Sequence, residues 1–303
     1  MEQLYVFGTG NAAVTRCYNT CFAIRQTGDV TDHPSADSPD DVTHHHSADK
    51  PDDTADRTAA DRRDEYFMVD AGGGNGILGI LEDMKVPLNQ IHHIFVTHEH
   101  TDHILGIVWM VRMIAQEMKK GKYDGTLHIY CHPELAESIR TICRLTILKK
   151  LYDLIGSSIL LIPVTDGETR SILGYDVTFF DIHSTKTKQF GFTTILKNGK
   201  KLTCPGDEPY NPLCEPYVAG SHWLFHEAFC LYGDRDRFKP YEKHHSTVKE
   251  ACELAESMQI PNLVLWHTED QNLKERKERY TAEGREYYHG NLLVPDDKEI
   301  IHL

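Results

Sequence analysis

The stretch Thr97-His98-Glu99-His100-Thr101-Asp102-His103 decides how this chain is read. An apolar run, residues 91–97, precedes it and reads as a buried strand. Residues 104–119 come next and read as a helix, by length and by the basic end Lys119-Lys120-Gly121. Four metal-ligand side chains thus crowd the turn from a strand into a helix. His98 and His100 are two apart, so an extended backbone projects both the same way. Asp102 and His103 come after the chain turns and face a second point. One short loop can address two neighbouring cations.

One loop cannot close two sites. A catalytic metal takes about three protein ligands and keeps a solvent position. The missing ligands are expected at the ends of other strands, and three residues qualify. His183 ends a strand over 175–183. Asp207 lies in the tight turn Cys204-Pro205-Gly206-Asp207-Glu208. His267 ends the apolar run 262–266, which has no core use for a histidine. Further strands are expected at 4–8, 20–25, 66–70, 127–131, 159–164, 191–196, 200–204, 223–226 and 299–303. Helices are expected at 77–84, 133–151, 247–258 and 271–281; the third opens on the capping box Thr247-x-x-Glu250. Strands that run into helices, with several strands grouped mid-chain, predict an α/β sandwich with sheets inside and helices outside.

The 303 residues are long enough for one large domain with a full core. A net charge of −14 argues against capture of nucleic acid or anionic lipid over the whole surface. No apolar run approaches the ~20 residues that span a bilayer. The N-terminus shows no secretory pattern, so a cytoplasmic, reducing setting is expected. The eight cysteines are scattered without Cys-x-x-Cys pairs and are expected to be free thiols rather than a structural zinc site. Residues 28–65 hold twelve acidic and four basic residues, −8 of the net charge, and a near-duplicate pair, Ser35–Asp41 and Ser47–Asp53. Such a segment buries too little apolar surface to offset its ordering entropy, so it reads as a disordered insertion, with His44-His45-His46 an unstructured polar tract.

The run from Thr97 to His103 resembles the His-x-His-x-Asp-His signature of the metallo-β-lactamase fold. Five later motifs, in order, resemble its ribonuclease Z branch: His183, Gly206-Asp207, His226-Glu227-Ala228, His245-Ser246-Thr247 and Leu263-Val264-Leu265-Trp266-His267. Phe7-Gly8-Thr9-Gly10-Asn11 and Val69-Asp70-Ala71-Gly72 are similar to that branch as well. The resemblance covers nearly the whole chain outside 28–65 and the last stretch. It implies a single-domain, four-layer αβ/βα sandwich of two mixed sheets flanked by helices. It implies two divalent ions, suited to zinc, with manganese or iron as alternatives. His98, His100 and His183 would hold the first, Asp102, His103 and His267 the second, and Asp207 would bridge them. Asp70 would orient a ligand loop from behind. Asp102, Glu227 and His245 would form the catalytic set, with His245 the proton donor to the leaving group. A hydroxide shared by the metals would attack a phosphodiester.

The same resemblance has departures. The family's tRNA-processing members carry a long basic arm, in many bacterial members between the positions of His183 and Asp207; here these are 24 residues apart. Glu208 replaces the threonine after Gly-Asp, and Thr268-Glu269-Asp270-Gln271 replaces the family's continuation after the last histidine. The leading expectation is therefore a phosphodiesterase acting on a small molecule. A tRNA 3′-end endonuclease, with an RNA 3′ end as substrate, is the first alternative. A catalytically inert metal-binding interaction module is the second. The family often dimerises through helices near the metal loop. The apolar helix 104–114 (Ile107, Trp109, Met110, Met113) serves either a homodimer or ordinary core packing.

Overall fold

The computed structural model describes residues 2–26 and 64–303. The insertion 28–65, with its tract His44-His45-His46, lies, apart from Asp64 and Glu65, outside the described residues.

Two seven-stranded mixed sheets face each other. The first contains β1 (Gln3–Gly8), β2 (Cys21–Gln26), β3 (Glu65–Val69), β4 (His93–Phe95), β5 (Leu127–Cys131) and β6 (Ile159–Pro163), in chain order across the sheet. The second contains β7 (Thr169–Ile172), β8 (Tyr175–Asp181), β9 (Phe190–Ile195), β10 (Lys201–Cys204), β11 (Trp223–Glu227), β12 (Asn262–Trp266) and β13 (Asn291–Leu293), also in order. A last strand, β14 (Ile300–His302), returns to the outer edge of β1. Each sheet is part antiparallel and part parallel: β3 to β6 run parallel, as do β10 to β13. This halves-and-mirror arrangement gathers the C-terminal ends of β3, β4, β10, β11 and β12 along one rim.

Between the sheets lies an aromatic core of Phe22, Phe67, Phe95, Phe179, Phe192, Phe225 and Trp266. The outer face of the first sheet is covered by α1 (Gly76–Asp83), α2 (Thr101–Lys119), α3 (Pro133–Thr146) and α4 (Lys149–Tyr152), through residues such as Ile77, Ile107, Met110 and Ile139. The second sheet is covered by α5 (Glu215–Val218), α7 (Val248–Ser257) and α8 (Leu273–Gly284), with the short α6 (Arg235–Phe238) at its rim. The expected four-layer sandwich is therefore present. The capping box at Thr247 and Glu250 is formed, and all eight cysteines are free.

Several local expectations differ. The helix expected over 133–151 stops at Thr146, because Ile147 turns to extended backbone (φ −99°, ψ 141°) before α4 restarts. β7 and β13 carry no strand signal in the sequence: three of the four β7 side chains are exposed, so it lacks apolar alternation, and β13 has three residues. Ile107 and Met110 are fully buried in the core, leaving Leu105 and Trp109 as the large exposed apolar groups of α2. No helix among the described residues is long and apolar enough to cross a membrane.

One glycine sets the site's foundation. A Cβ on Gly106 would stand 1.8 Å from the carbonyl oxygen of Ala71. Only glycine lets α2 pack this closely on the turn after β3, where the Gly106 N–H donates to the Gly72 carbonyl at 2.8 Å. The metal loop is thereby clamped against Asp70.

Candidate metal centre

The loop after β4 behaves as its spacing predicts. His100 is extended (φ −62°, ψ 149°) and α2 begins at Thr101, so Asp102 sits in the first helical turn, where a carboxylate is favoured by the helix dipole. His98 and His103 are buried, and His100 is partly exposed. His98 Nε2 lies 2.8 Å from His100 Nδ1.

Asp207, from the turn after β10, reaches into the middle. Its Oδ2 is 3.2 Å from His103 Nε2, 3.3 Å from His267 Nε2 and 3.8 Å from His98 Nε2. His103 Nε2 is also 3.4 Å from Asp102 Oδ2. Two groups of ligand atoms result, each contained within 4.8 Å: Asp102, His103, Asp207 and His267, and His98, His100 and Asp207. Asp207 belongs to both.

Behind this cluster, Asp70 accepts three hydrogen bonds. Its Oδ1 takes the Thr97 N–H at 2.9 Å, and its Oδ2 takes the Thr97 hydroxyl at 2.8 Å and His103 Nδ1 at 2.7 Å. The His103 proton is thus held on Nδ1, and Nε2 is left facing the carboxylates.

The electrostatics are those of a cation site. Burial opposes charge on Asp207, yet His98, His267 and His103 hold its carboxyl well below the usual range. Burial also opposes charge on Asp102, but His103 and His267 keep its carboxyl low. Burial depresses His98 far below its ordinary value and His267 to about 4. A neutral imidazole keeps the lone pair that a cation needs. Buried His103 Nε2 has no hydrogen-bond partner. It stands among acceptor-only oxygens, and a divalent cation satisfies the set.

The structure does not bring His183 into either group. Its ring is exposed, φ is +59°, and its N–H is tied back to Asp181 Oδ1 at 2.7 Å. The ring lines a neighbouring cavity of about 390 Å³ with Glu208, Tyr241, His244 and His245. The place beside His98 is taken by Gln189, which sequence reasoning missed. Its Nε2 donates to Asp207 Oδ1 at 2.6 Å and lies 2.8 Å from His98 Nδ1. A glutamine immediately before an apolar strand start was the available signal.

Glu227 and His245 come together at the rim. Glu227 is fully buried; its Oε1 accepts from the Ser246 N–H and hydroxyl, and its Oε2 is 3.5 Å from His245 Nδ1. His245 stacks on Phe229 (ring centroids 5.0 Å apart) and lies 5.1 Å from the His267 ring. Burial opposes protonation of His245, but Glu227 raises its pKa above the ordinary value. Its neighbour His244 turns outward at φ +56° and meets Thr185. Of this adjacent pair, only His245 faces the cluster, across a cavity of about 480 Å³.

Two mixed sheets between helical layers, with a buried histidine–aspartate cluster at one rim, define a metallo-β-lactamase-fold hydrolase that depends on divalent metal. The solved structures agree on the fold. The metallo-β-lactamase fold protein YhfI from Bacillus subtilis superposes with TM-score 0.69 at 16% identity, covering 99% of this chain and 98% of that one. The short form of human tRNase Z superposes with TM-score 0.66 at 18% identity, covering 99% and 98%. In sequence, ribonuclease Z of Phocaeicola vulgatus is 25% identical over 253 residues, 68% of this chain and 78% of the relative. The chain belongs to the family described as Anti-Pycsar protein Apyc1, whose model matches residues 59–289. It is a dinuclear metal-dependent hydrolase of the ribonuclease Z-like phosphodiesterase type.

Proposed function

We propose that the chain hydrolyses a small phosphodiester at a centre of two divalent ions. His98, His100 and Asp207 hold one ion; Asp102, His103, His267 and Asp207 hold the other, with His183 outside both sets. The observation that carries this reading is Asp207, one buried carboxylate shared by two ligand groups. The nitrogen-rich, carboxylate-bridged donor set suits zinc, and manganese or iron second. When bound, such an ion pair supplies a water of lowered pKa and offsets the charge of the phosphodiester.

The chain's own residues supply the rest. Asp70 fixes the His103 tautomer. Glu227, with Oε2 3.5 Å from His245 Nδ1, favours the protonated form of His245, so the other ring nitrogen offers a proton to the cleft. Water's oxygen bonds to phosphorus, losing a proton to solvent, as the phosphorus–leaving-oxygen bond breaks. His245 then gives its proton to the departing oxygen. Burial of the cluster limits competing solvent.

Three features support a small substrate. The 24 residues from His183 to Asp207 are taken up by β9, β10 and their turns. The net charge of −14 disfavours an extended RNA backbone. The cleft volume is that of a small-ligand site. The test is turnover of bis(p-nitrophenyl) phosphate by zinc- or manganese-loaded protein, alongside a 3′-extended tRNA precursor. Hydrolysis of the former, lost in Asp207→Ala together with bound metal, is expected. Cleavage of the precursor alone would transfer the assignment to tRNA 3′ ends, and inertness of loaded protein toward both would leave a binding module.

A further inference from the structure

Among the described residues, Lys186 and Lys243 are the two lysines on the wall of the cleft, which Glu99, Asp102 and Asp207 also line. Both are exposed, and neither has an ion-pair partner among the described residues. Other lysines nearby are committed: Lys188 to Glu134, Lys249 to Glu253. The Lys243 ammonium stands 4.7 Å from the centroid of Phe229, the ring that stacks on His245. A cation–π contact therefore keeps that charge beside the proton donor. Lys186 is close enough to lower the proton affinity of His245.

The loop carrying Lys186 is fixed independently of the lysine. Thr187 donates its hydroxyl to Glu99 Oε1 at 3.0 Å, and Ser138 of α3 donates to Glu99 Oε2 at 3.1 Å. Ser184 donates to Glu208 at 2.7 Å. Glu99 lies between His98 and His100, so it latches the lysine loop to the metal loop itself. In a chain of net charge −14 the general field repels an anion, and unpaired local cations at the cleft must overcome it.

We infer that Lys186 and Lys243 grip the anionic oxygens of the substrate phosphate, and that Glu99, through Thr187, is the positioning residue that sets Lys186. This rests on the phosphodiesterase reading above. The experiment combines steady-state kinetics on bis(p-nitrophenyl) phosphate with calorimetric binding of inorganic phosphate to metal-loaded protein. Lys186→Gln and Lys243→Gln are each expected to raise KM and weaken phosphate binding by about 3- to 10-fold, with bound metal unchanged. The salt dependence of KM should flatten, and Lys186→Arg should restore most of the loss. Thr187→Val should raise KM as well, but add nothing to Lys186→Gln in the double variant. Unchanged phosphate binding and KM in both glutamine variants would overturn the inference. An additive double variant would overturn the latch. If wild-type protein turns over no phosphodiester, the function assigned above fails, while phosphate binding by the lysine variants still decides this inference.

Discussion

Replacing Asp70 by asparagine probes the centre without touching a ligand. Asparagine tolerates the left-handed backbone at this position (φ +55°) and keeps the side-chain shape, so the change is one of charge and hydrogen-bond sense. The aspartate accepts from three donors: the Thr97 N–H, the Thr97 hydroxyl and His103 Nδ1–H. An amide has only one oxygen. With that oxygen on the Thr97 N–H, its NH₂ faces His103 Nδ1 and drives the imidazole proton to Nε2. That nitrogen faces Asp207 at 3.2 Å and Asp102 at 3.4 Å, and protonated it cannot donate to a cation. In the flipped orientation the NH₂ opposes the Thr97 N–H, donor against donor.

Either arrangement weakens the site that contains His103. Losing such an orienting carboxylate typically costs 10- to 100-fold in metal affinity, about 1.4–2.8 kcal/mol. The assay is zinc titration in competition with a chromophoric chelator at fixed pH. Two binding events are expected in the wild type. In Asp70→Asn the one assigned to Asp102, His103 and His267 should weaken by that factor. The His98–His100 event should move little. Wild-type affinity for both ions in Asp70→Asn would refute the tautomer argument.

Three further outcomes are expected from the geometry. His183→Ala should retain nearly all bound zinc by elemental analysis, whereas His267→Ala should lose an ion; equal losses would mean that the His183 ring ligates. Glu227→Gln should lower kcat by roughly 10²-fold at unchanged metal content, because His245 loses the carboxylate that holds its proton; normal kcat would remove Glu227 from the reaction. His93 tests stability against pH. Burial and the neighbouring His128 and His92 hold it at about 4 in the folded chain, against 6.5 ordinarily. The unfolded chain therefore binds this proton first, and the stabilisation present above ~6.5 is lost as pH falls toward 4, by ~1–3 kcal/mol. Guanidinium unfolding at pH 7.5 and 4.5 should show a smaller acid loss in His93→Gln than in wild type, and equal losses would contradict it.

The metal loop was legible in sequence because a spacing of two on extended backbone, followed by a helix, leaves few alternative geometries. Asp207 and His267 were legible because a strand end is where a polar group in an apolar run finds a use. Other features leave no local pattern. The break at Ile147 falls among apolar residues with no glycine or proline to mark it. Lys186 and Lys243 gain meaning only from their distance to the cleft. The motif His245-Ser246-Thr247 singled out His245, but the positive φ that turns its neighbour His244 outward has no mark in the sequence.

His183 marks where strand-end logic meets its limit, and the sheet explains why. β8 runs parallel to β10 but two places away, with β9 between them antiparallel to both. At ~4.8 Å per strand, the end of β8 stands about 10 Å along the rim from the end of β10, where Asp207 begins. The start of β9 occupies the gap, and the residue just before it is Gln189, pinned there as the Phe190 N–H donates to the Thr97 carbonyl at 3.0 Å across the sandwich. A strand-end rule counts which residues reach the rim; sheet order decides which of them reach the centre. By that measure Gln189 holds the inner place and His183 the outer, facing the cavity beside His245.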